Sequence, residues 1–344
     1  MDAFAEKKLG QLSLKNCFIR SATNENMGTV EGEVTDTLSN VYEELAENEI
    51  GLIITAHFAV NEMGRANLHQ PIISRENNYA KFKRLTSAVH AKGSKIIMQL
   101  NHGGYKAPVD VNSCTPQGPS ATDVAKALTV AEIHGLIKDY IRGAIIAKRT
   151  GFDGVQVHGA HGYLLSEFID PAQNKRTDDY GGSVEKRFRF ARAIIEGIRL
   201  ACGSDFLIAI KVNANSSELT YDYKKDLVEV GCLCEHCGVD LIELSGTNFS
   251  QLPPQKELYF LEEAKLLKSQ LQIPVALVGG IHDKETIEIV LAAGIDFVSL
   301  SRPLICEPDF VRKLKEQTTV AAQCIRCNQC YKLYLEKGKR CIRH

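Results

Sequence analysis

Residues 206–244 read FLIAIKVNANSSELTYDYKKDLVEVGCLCEHCGVDLIEL. The segment opens with a short apolar run rich in β-branched side chains, passes through a longer stretch of helical periodicity, and returns to a second short run, VDLIEL from Val239. Two such runs joined by a helix form a βαβ unit, the repeating element of a parallel sheet. The alternation continues in both directions. CFIRSA from Cys17, GLIITA from Gly51, KIIMQL from Lys95 and DGVQVH from Asp153 precede it; PVALVG from Pro274 and DFVSLS from Asp296 follow. Eight strands can close a parallel sheet on itself and leave no edge exposed. The sequence therefore predicts an α/β fold, a (β/α)8 TIM barrel over residues 1–318, with a short cysteine-rich extension over residues 319–344. Glycines and acidic residues before several runs (Gly51, Gly151 to Gly154, Gly238 to Asp240, Gly294 to Asp296) read as helix C-terminal caps and turns.

Composition agrees with one large domain. A chain of 344 residues with 44% hydrophobic content is ordinary for one barrel and can build its core. Lys plus Arg number 41 against 42 for Asp plus Glu, which argues against nucleic acid or an acidic membrane as partner and for a small-molecule substrate. There is no run of 18 apolar residues, and the start, MDAFAEKKLGQLSLKN, shows neither the basic nor the apolar region of a signal peptide, so the expected location is cytoplasmic. Reduced thiols are then the default for the eleven cysteines. Four of them, Cys324, Cys327, Cys330 and Cys341, fall within the last 21 residues and need their own explanation.

Barrels of this kind carry their chemistry at the C-terminal ends of the strands. The polar residues that follow the eight runs are Asn24, His57, Gln99 with His102, His158 with His161 and Tyr163, Lys211, Ser245, Gly279 with Gly280, and Ser301 with Arg302. The stretch from Asn101 to Leu128, rich in Pro, Gly, Ser and Thr, reads as a substrate-side loop or lid. His158 and His161 directly after the fourth run, with Tyr163 two residues on, can clamp one substrate oxygen while the phenol supplies a proton. That is equipment for reducing an activated double bond. A pair of core or metal-binding histidines is the alternative reading of those two residues.

The run HGAHGYLL followed by NKRTDDYGGS, within residues 155–190, resembles the most recognisable stretch of the Old Yellow Enzyme family. Further resemblance lies in KNCFIRSATNEN at Lys15, QLNHGG at Gln99, LVGGI at Leu277 and LSRPLICEPDF at Leu300, in the family's order and over almost the whole chain. The resemblance implies FMN as cofactor and NAD(P)H as electron donor. Ala22, Thr23 and His57 would line the flavin and Gln99 would bond its pyrimidine edge. Lys211 would stand beside flavin N1 and O2, where most relatives carry Arg; taken alone, it reads equally as a surface lysine. Gly279, Gly280, Ser301 and Arg302 would hold the phosphate, glycine by letting the backbone approach and Arg302 by a charge-assisted contact. A lone Gly-Gly otherwise reads as a turn. Asn24 departs from the Thr or Cys expected facing flavin O4; it can still donate there, with altered redox tuning.

The tail, CIRCNQCYKLYLEKGKRCIRH, has the spacing C-x2-C-x2-C-x10-C. Three thiolates on a tight loop plus a distant fourth suit a [4Fe-4S] cube, whereas structural zinc more often shows two separated pairs. Zinc and free thiols remain alternatives. The spacing resembles the iron-sulfur branch of the family, the trimethylamine dehydrogenase and dienoyl-CoA reductase type, which continues into a nucleotide-binding half. No G-x-G-x-x-G follows any strand here, so the cluster would serve a separate electron-transfer protein or be structural. Cys232, Cys234 and Cys237 read as core or surface thiols on a helix.

The leading expectation is hydride transfer from NAD(P)H through FMN to the β-carbon of an α,β-unsaturated carbonyl, with Tyr163 protonating the α-carbon. An oxidative amine or ether dehydrogenase, or an electron-carrying or sensing module without turnover, are the alternatives. Relatives commonly associate, which makes a homo-oligomer a further expectation.

Overall fold

The structure is a computed structural model that describes residues 2–247, 249–253, 256–331 and 338–343. Each of the eight predicted runs forms a strand: β1 Phe18–Arg20, β2 Leu52–Ala59, β3 Lys95–Asn101, β4 Gly154–Gly159, β5 Leu207–Asn213, β6 Leu241–Ser245, β7 Val275–Val278 and β8 Phe297–Leu300. They close a parallel barrel in chain order, β8 pairing back onto β1. Every residue of β2, β5 and β6 is buried, which is why the runs are mainly apolar rather than alternating, with Thr55, His57, Lys211, Asn213, Glu243 and Ser245 as buried polar positions. Among the described residues, seven helices of nine residues or more surround the sheet: α1 Asp36–Glu47, α2 Asn77–Ala91, α3 Val130–Arg149, α4 Val184–Cys202, α5 Lys224–His236, α6 Leu261–Gln270 and α7 Lys284–Ala292. Local chemistry starts several of them. Thr129 and Glu132 form a reciprocal capping box at α3, as do Asp283 and Thr286 at α7, and the Thr35 and Ser183 hydroxyls cap α1 and α4.

The floor of the barrel is fastened by a motif that recurs three times. Gly151, Gly238 and Gly294 have φ of +91°, +89° and +83° just after α3, α5 and α7, a conformation natural to glycine at a helix end. Two residues later, Asp153, Asp240 and Asp296 accept the backbone N–H of Ile96, Ile208 and Val275 at 2.8, 2.8 and 2.9 Å, each on the preceding strand. Lys95, Arg199 and Lys268 pair with the same carboxylates. The predicted turns are thus also clamps between adjacent strands. A hairpin of Lys7–Leu9 and Leu12–Leu14 lies below, its Gly10 against Leu207 and Asp240.

At the opposite end, β2 carries one extra residue between Ile54 and His57 relative to β3, a bulge that places His57 opposite Gln99 at the mouth. The predicted loop from Asn101 to Leu128 contains only a 3-10 turn, Gly104–Lys106, a one-turn helix, Val109–Asn112, and a two-residue strand pair. The cysteine-rich tail folds back over the mouth: Lys339 N–H donates to Glu25 O at 2.7 Å, and Gly338 packs on Met27. All eleven cysteines are unpaired. On α5, Cys232 is exposed and Cys234 buried, and Cys237 is buried just after the helix. Among the described residues no helix is long and apolar enough to cross a membrane.

Candidate active site

One cavity of about 640 Å³ opens at the C-terminal ends of the strands, within the range of small-molecule and cofactor sites. Ala22, Thr23, Asn24, His57, Gln99, His158, His161, Tyr163, Lys211, Gly279, Ser301 and Arg302 all line it. Gly280 does not. Its φ is +73°, and a side chain there would put Cβ 2.5 Å from Leu258 N, so it supports the wall from behind. His102 does not line it either; it is buried, its Nδ1 accepting from Gly104 N at 3.2 Å.

The three residues proposed for chemistry converge. His158 and His161 have ring centroids 5.3 Å apart, nearly perpendicular, and Tyr163 lies 5.0 Å from His158 and 5.3 Å from His57. The tight turn that achieves this places His161 at φ +63° and Gly162 at +67°. His161 is fixed by Asn213 Oδ1, which accepts its backbone N–H at 3.0 Å, and by a 2.8 Å contact between Nε2 and Ser245 Oγ. Burial holds the His158 and His161 imidazoles well below their ordinary range, with His161 and Lys211 respectively as the next causes. Burial pushes His57 down to about 3. All three rings are therefore neutral near pH 7, each offering one N–H and one lone pair.

The cavity fits FMN on several observations. His57 Nε2 and His158 Nδ1 are buried without a protein partner, as expected of groups waiting on a ligand. Thr23 Oγ1 and Ser301 Oγ meet at 2.9 Å. Asn24 Oδ1 accepts from Asn26 N at 3.2 Å, which leaves its amide N–H groups for the cavity. Gly279, at φ +131°, presents bare backbone where a Cβ would strike the Tyr259 ring at 2.9 Å. Arg302 is buried and donates to Tyr259 Oη at 2.8 Å and Asn328 Oδ1 at 2.6 Å, a fixed guanidinium at the β7–β8 end where barrels bind phosphate.

Several lining residues escape a reading of the sequence. Tyr105, Lys106, Glu167, Phe249, Tyr259, Tyr331 and Lys339 all face the cavity. Lys106 donates to His161 O at 2.5 Å and lies 5.3 Å over the Tyr163 ring. Burial holds Glu167 well above the usual carboxylate range, against its contact with Tyr105 N–H and the charge of Lys106. Only the position of Lys106 beside the QLNHGG motif could have drawn attention to it.

A second, much smaller cavity lies behind Arg302, lined by Cys306, Cys324, Cys327, Cys330 and Cys341. Among the described residues, no three of these thiols have their sulfurs within 4.8 Å of one another. A tetrahedral zinc with Zn–S bonds near 2.3 Å would hold its sulfurs about 3.8 Å apart. A cube that gives each thiolate its own iron spreads them wider. Cys306 was not among the expected ligands. Burial and a side-chain hydrogen bond with Cys341 push its thiol up to about 12.

A closed parallel barrel with this polar mouth defines a class of small-molecule enzyme, and comparison with known proteins names it. The model of the NADH:flavin oxidoreductase / NADH oxidase family matches residues 3–320, and the chain belongs to that family. A 4,4'-dithiodibutanoate disulfide reductase of Rhodococcus erythropolis is 30% identical, the match covering 98% of this chain and 94% of the relative. An NADH oxidase of Thermoanaerobacter brockii is 31% identical over 94% of this chain and 52% of its own length. Among solved structures, a 2-naphthoyl-CoA reductase complex superposes with TM-score 0.90 at 25% identity, over 98% of this chain and 56% of that one. The old yellow enzyme homologue from Zymomonas mobilis gives TM-score 0.80 at 26% identity, over 94% of both chains. This chain thus spans about half the length of the NADH oxidase and the naphthoyl-CoA reductase. Family membership supports FMN and NADH as the cofactor and the reductant.

Proposed function

We propose that the protein is an FMN-dependent, NADH-oxidising reductase of activated alkenes, such as α,β-unsaturated carbonyls. The observation that carries this reading is the convergence of two neutral imidazoles and a phenol on one cavity. FMN, when bound, supplies two-electron hydride transfer between a reduced nicotinamide and an acceptor. Arg302, Ser301 and the Gly279 backbone would hold its phosphate. Ala22, Thr23, Asn24 and His57 would line the isoalloxazine, and Gln99 and Lys211 would meet its pyrimidine edge.

His158 and His161 bind the acceptor's carbonyl oxygen and withdraw charge from the conjugated double bond. Because Ser245 already engages His161 Nε2, His161 serves the substrate through Nδ1–H only if Ser245 donates to Nε2. Ser245 therefore sets the tautomer. Tyr163 delivers its proton to the substrate α-carbon, and Lys106 above the ring favours the phenolate left behind. Cys324, Cys327, Cys330 and Cys341 would ligate a [4Fe-4S] cluster. Arg302 lines both cavities, which favours a second reading, an amine or ether dehydrogenase passing electrons through the cluster to a partner protein. Reduced thiols throughout suit a cytoplasmic enzyme.

The test is anaerobic. Purified protein is assayed for flavin absorption, iron and labile sulfide, then given NADH followed by 2-cyclohexenone. Bleaching by NADH and recovery by the enone, with about four irons per chain, is the expected result. Bleaching by amines with no reoxidation by enones would favour the oxidative reading; no bound flavin would overturn both.

A further inference from the structure

Lys211 on β5 and Glu243 on β6 are paired in register and lie side by side inside the barrel, 1% and 0% exposed, with Nζ 3.1 Å from Oε2. Lys211 also donates to Ser21 Oγ at 2.8 Å. Glu243 accepts from Ser299 Oγ at 2.5 Å on Oε1 and from Gln156 Nε2 at 2.8 Å on Oε2. Gln156 in turn accepts from Gln99 Nε2 at 2.7 Å. The network therefore crosses from β8 to β3 beneath the large cavity. Lys211, Gln99 and Ser21 line that cavity; Glu243, Gln156 and Ser299 stand behind them.

A fully buried carboxylate is costly to keep ionised, and this one is stabilised from several directions. Burial pushes its pKa up, but the Lys211 charge and the hydrogen bonds from Ser299 and Gln156 outweigh it, so the carboxyl stays below its ordinary range. The anion has no route to substrate. What it does reach is the one ammonium group directed at the cavity floor from β5. A cation there attracts the negative charge that a flavin gains on reduction, and an anion immediately behind the cation cancels much of that attraction.

We propose that Glu243 is a positioning residue that sets the reduction potential of the bound flavin. By pairing with Lys211 it keeps that potential lower than an unpaired lysine would, so that the reduced cofactor gives up its electrons more readily. The inference rests on the reading that FMN occupies this cavity with its pyrimidine edge at Lys211.

The experiment is an anaerobic dye-equilibration measurement of the flavin midpoint potential in the wild-type protein, Glu243→Gln and Glu243→Asp. Glutamine keeps the size and removes the charge; aspartate keeps the charge but draws it back from Lys211. The potential should rise in Glu243→Gln, by roughly tenfold or more in the reduced-to-oxidised ratio at a fixed applied potential, as expected for one charge removed a few ångströms away at an effective dielectric of about 20. Glu243→Asp should rise by less, and it decides the question if the glutamine variant does not retain flavin. A flavin-loaded variant with an unchanged or lower potential overturns the proposal, as would a loss of thermal stability and flavin occupancy in both variants with no change in potential. A wild-type protein purified without flavin would instead overturn the reading of the cavity, and its absorption spectrum shows this before any substitution is made.

Discussion

Arg302, the first residue after Ser301 at the end of β8, donates through Nη1 to Asn328 Oδ1 at 2.6 Å, in the turn between Cys327 and Cys330. One guanidinium therefore joins the proposed phosphate end of the large cavity to the thiol-lined one. Arg302→Met should weaken FMN binding by about ten- to a hundredfold, the worth of one or two hydrogen bonds to a charged group. Flavin fluorescence titration of the apoprotein measures this, and a Kd unchanged within twofold would remove Arg302 from the phosphate site.

Tyr163 stands over His57 and His158 with Lys106 above it. Tyr163→Phe keeps the ring packing and removes the proton. Stopped-flow reduction by NADH should stay close to wild type, while reoxidation by an enone slows by about a hundredfold or more, the usual range for a general acid. Equal loss in both half-reactions would mean the phenol positions the nicotinamide instead.

The five-thiol cavity makes a sharp distinction. Cys324→Ala, Cys327→Ala, Cys330→Ala or Cys341→Ala should each leave protein with little iron. Cys306→Ala, which removes a thiol outside the C-x2-C-x2-C-x10-C spacing, should retain the wild-type iron content. Iron loss in Cys306→Ala with retention in Cys341→Ala would exchange the two as ligands.

Acid stability follows from the buried imidazoles. Burial lowers His57 to about 3 and His102 to about 4, and holds His158 and His161 well below their ordinary values. Their folded pKa values lie below the unfolded value of about 6.5, so below that pH the unfolded chain binds more protons and the fold loses stability as pH falls. Glu167 has the opposite sign, since its raised pKa makes the native state the one that holds the proton above about 4.5. Below about pH 6.5 the four histidines outnumber the one carboxyl, so protons are taken up on unfolding and stability falls with pH. Urea unfolding at pH 7.5, 6.5 and 5.5 should show a steep fall over the last interval; a flat profile would mean these histidines are charged in the folded protein.

The barrel was legible because strands buried on both faces are mainly apolar, and all eight runs stand out from the amphipathic helices between them. The mouth was largely legible too, since chemistry at strand ends follows directly from the strand positions. Glu243 was not. An acidic residue inside VDLIEL suggests an outward-facing position, and only closure of the barrel turns it inward to Lys211. Cys306 lies 18 residues before Cys324, within an apolar helix, and reads there as a core thiol. Tyr259, Tyr331 and Lys339 sit in segments whose path no periodicity dictates, so their place in the cavity wall is a property of tertiary structure alone. The three aspartate clamps were visible as Gly-x-Asp but carried no hint that the carboxylate reaches across to the neighbouring strand.

Tyr331 and Lys339 belong to the cysteine-rich tail, yet they form part of the wall around the large cavity. The tail is thus one wall of the cavity rather than an appendage. A laboratory that trims the gene at residue 318 to obtain a tidy minimal barrel would produce a vessel open on the side where the flavin is to be held. With the proposed cluster holding that wall, the supply of iron and sulfide during expression would bear on how much yellow protein is recovered, and not only on how much brown.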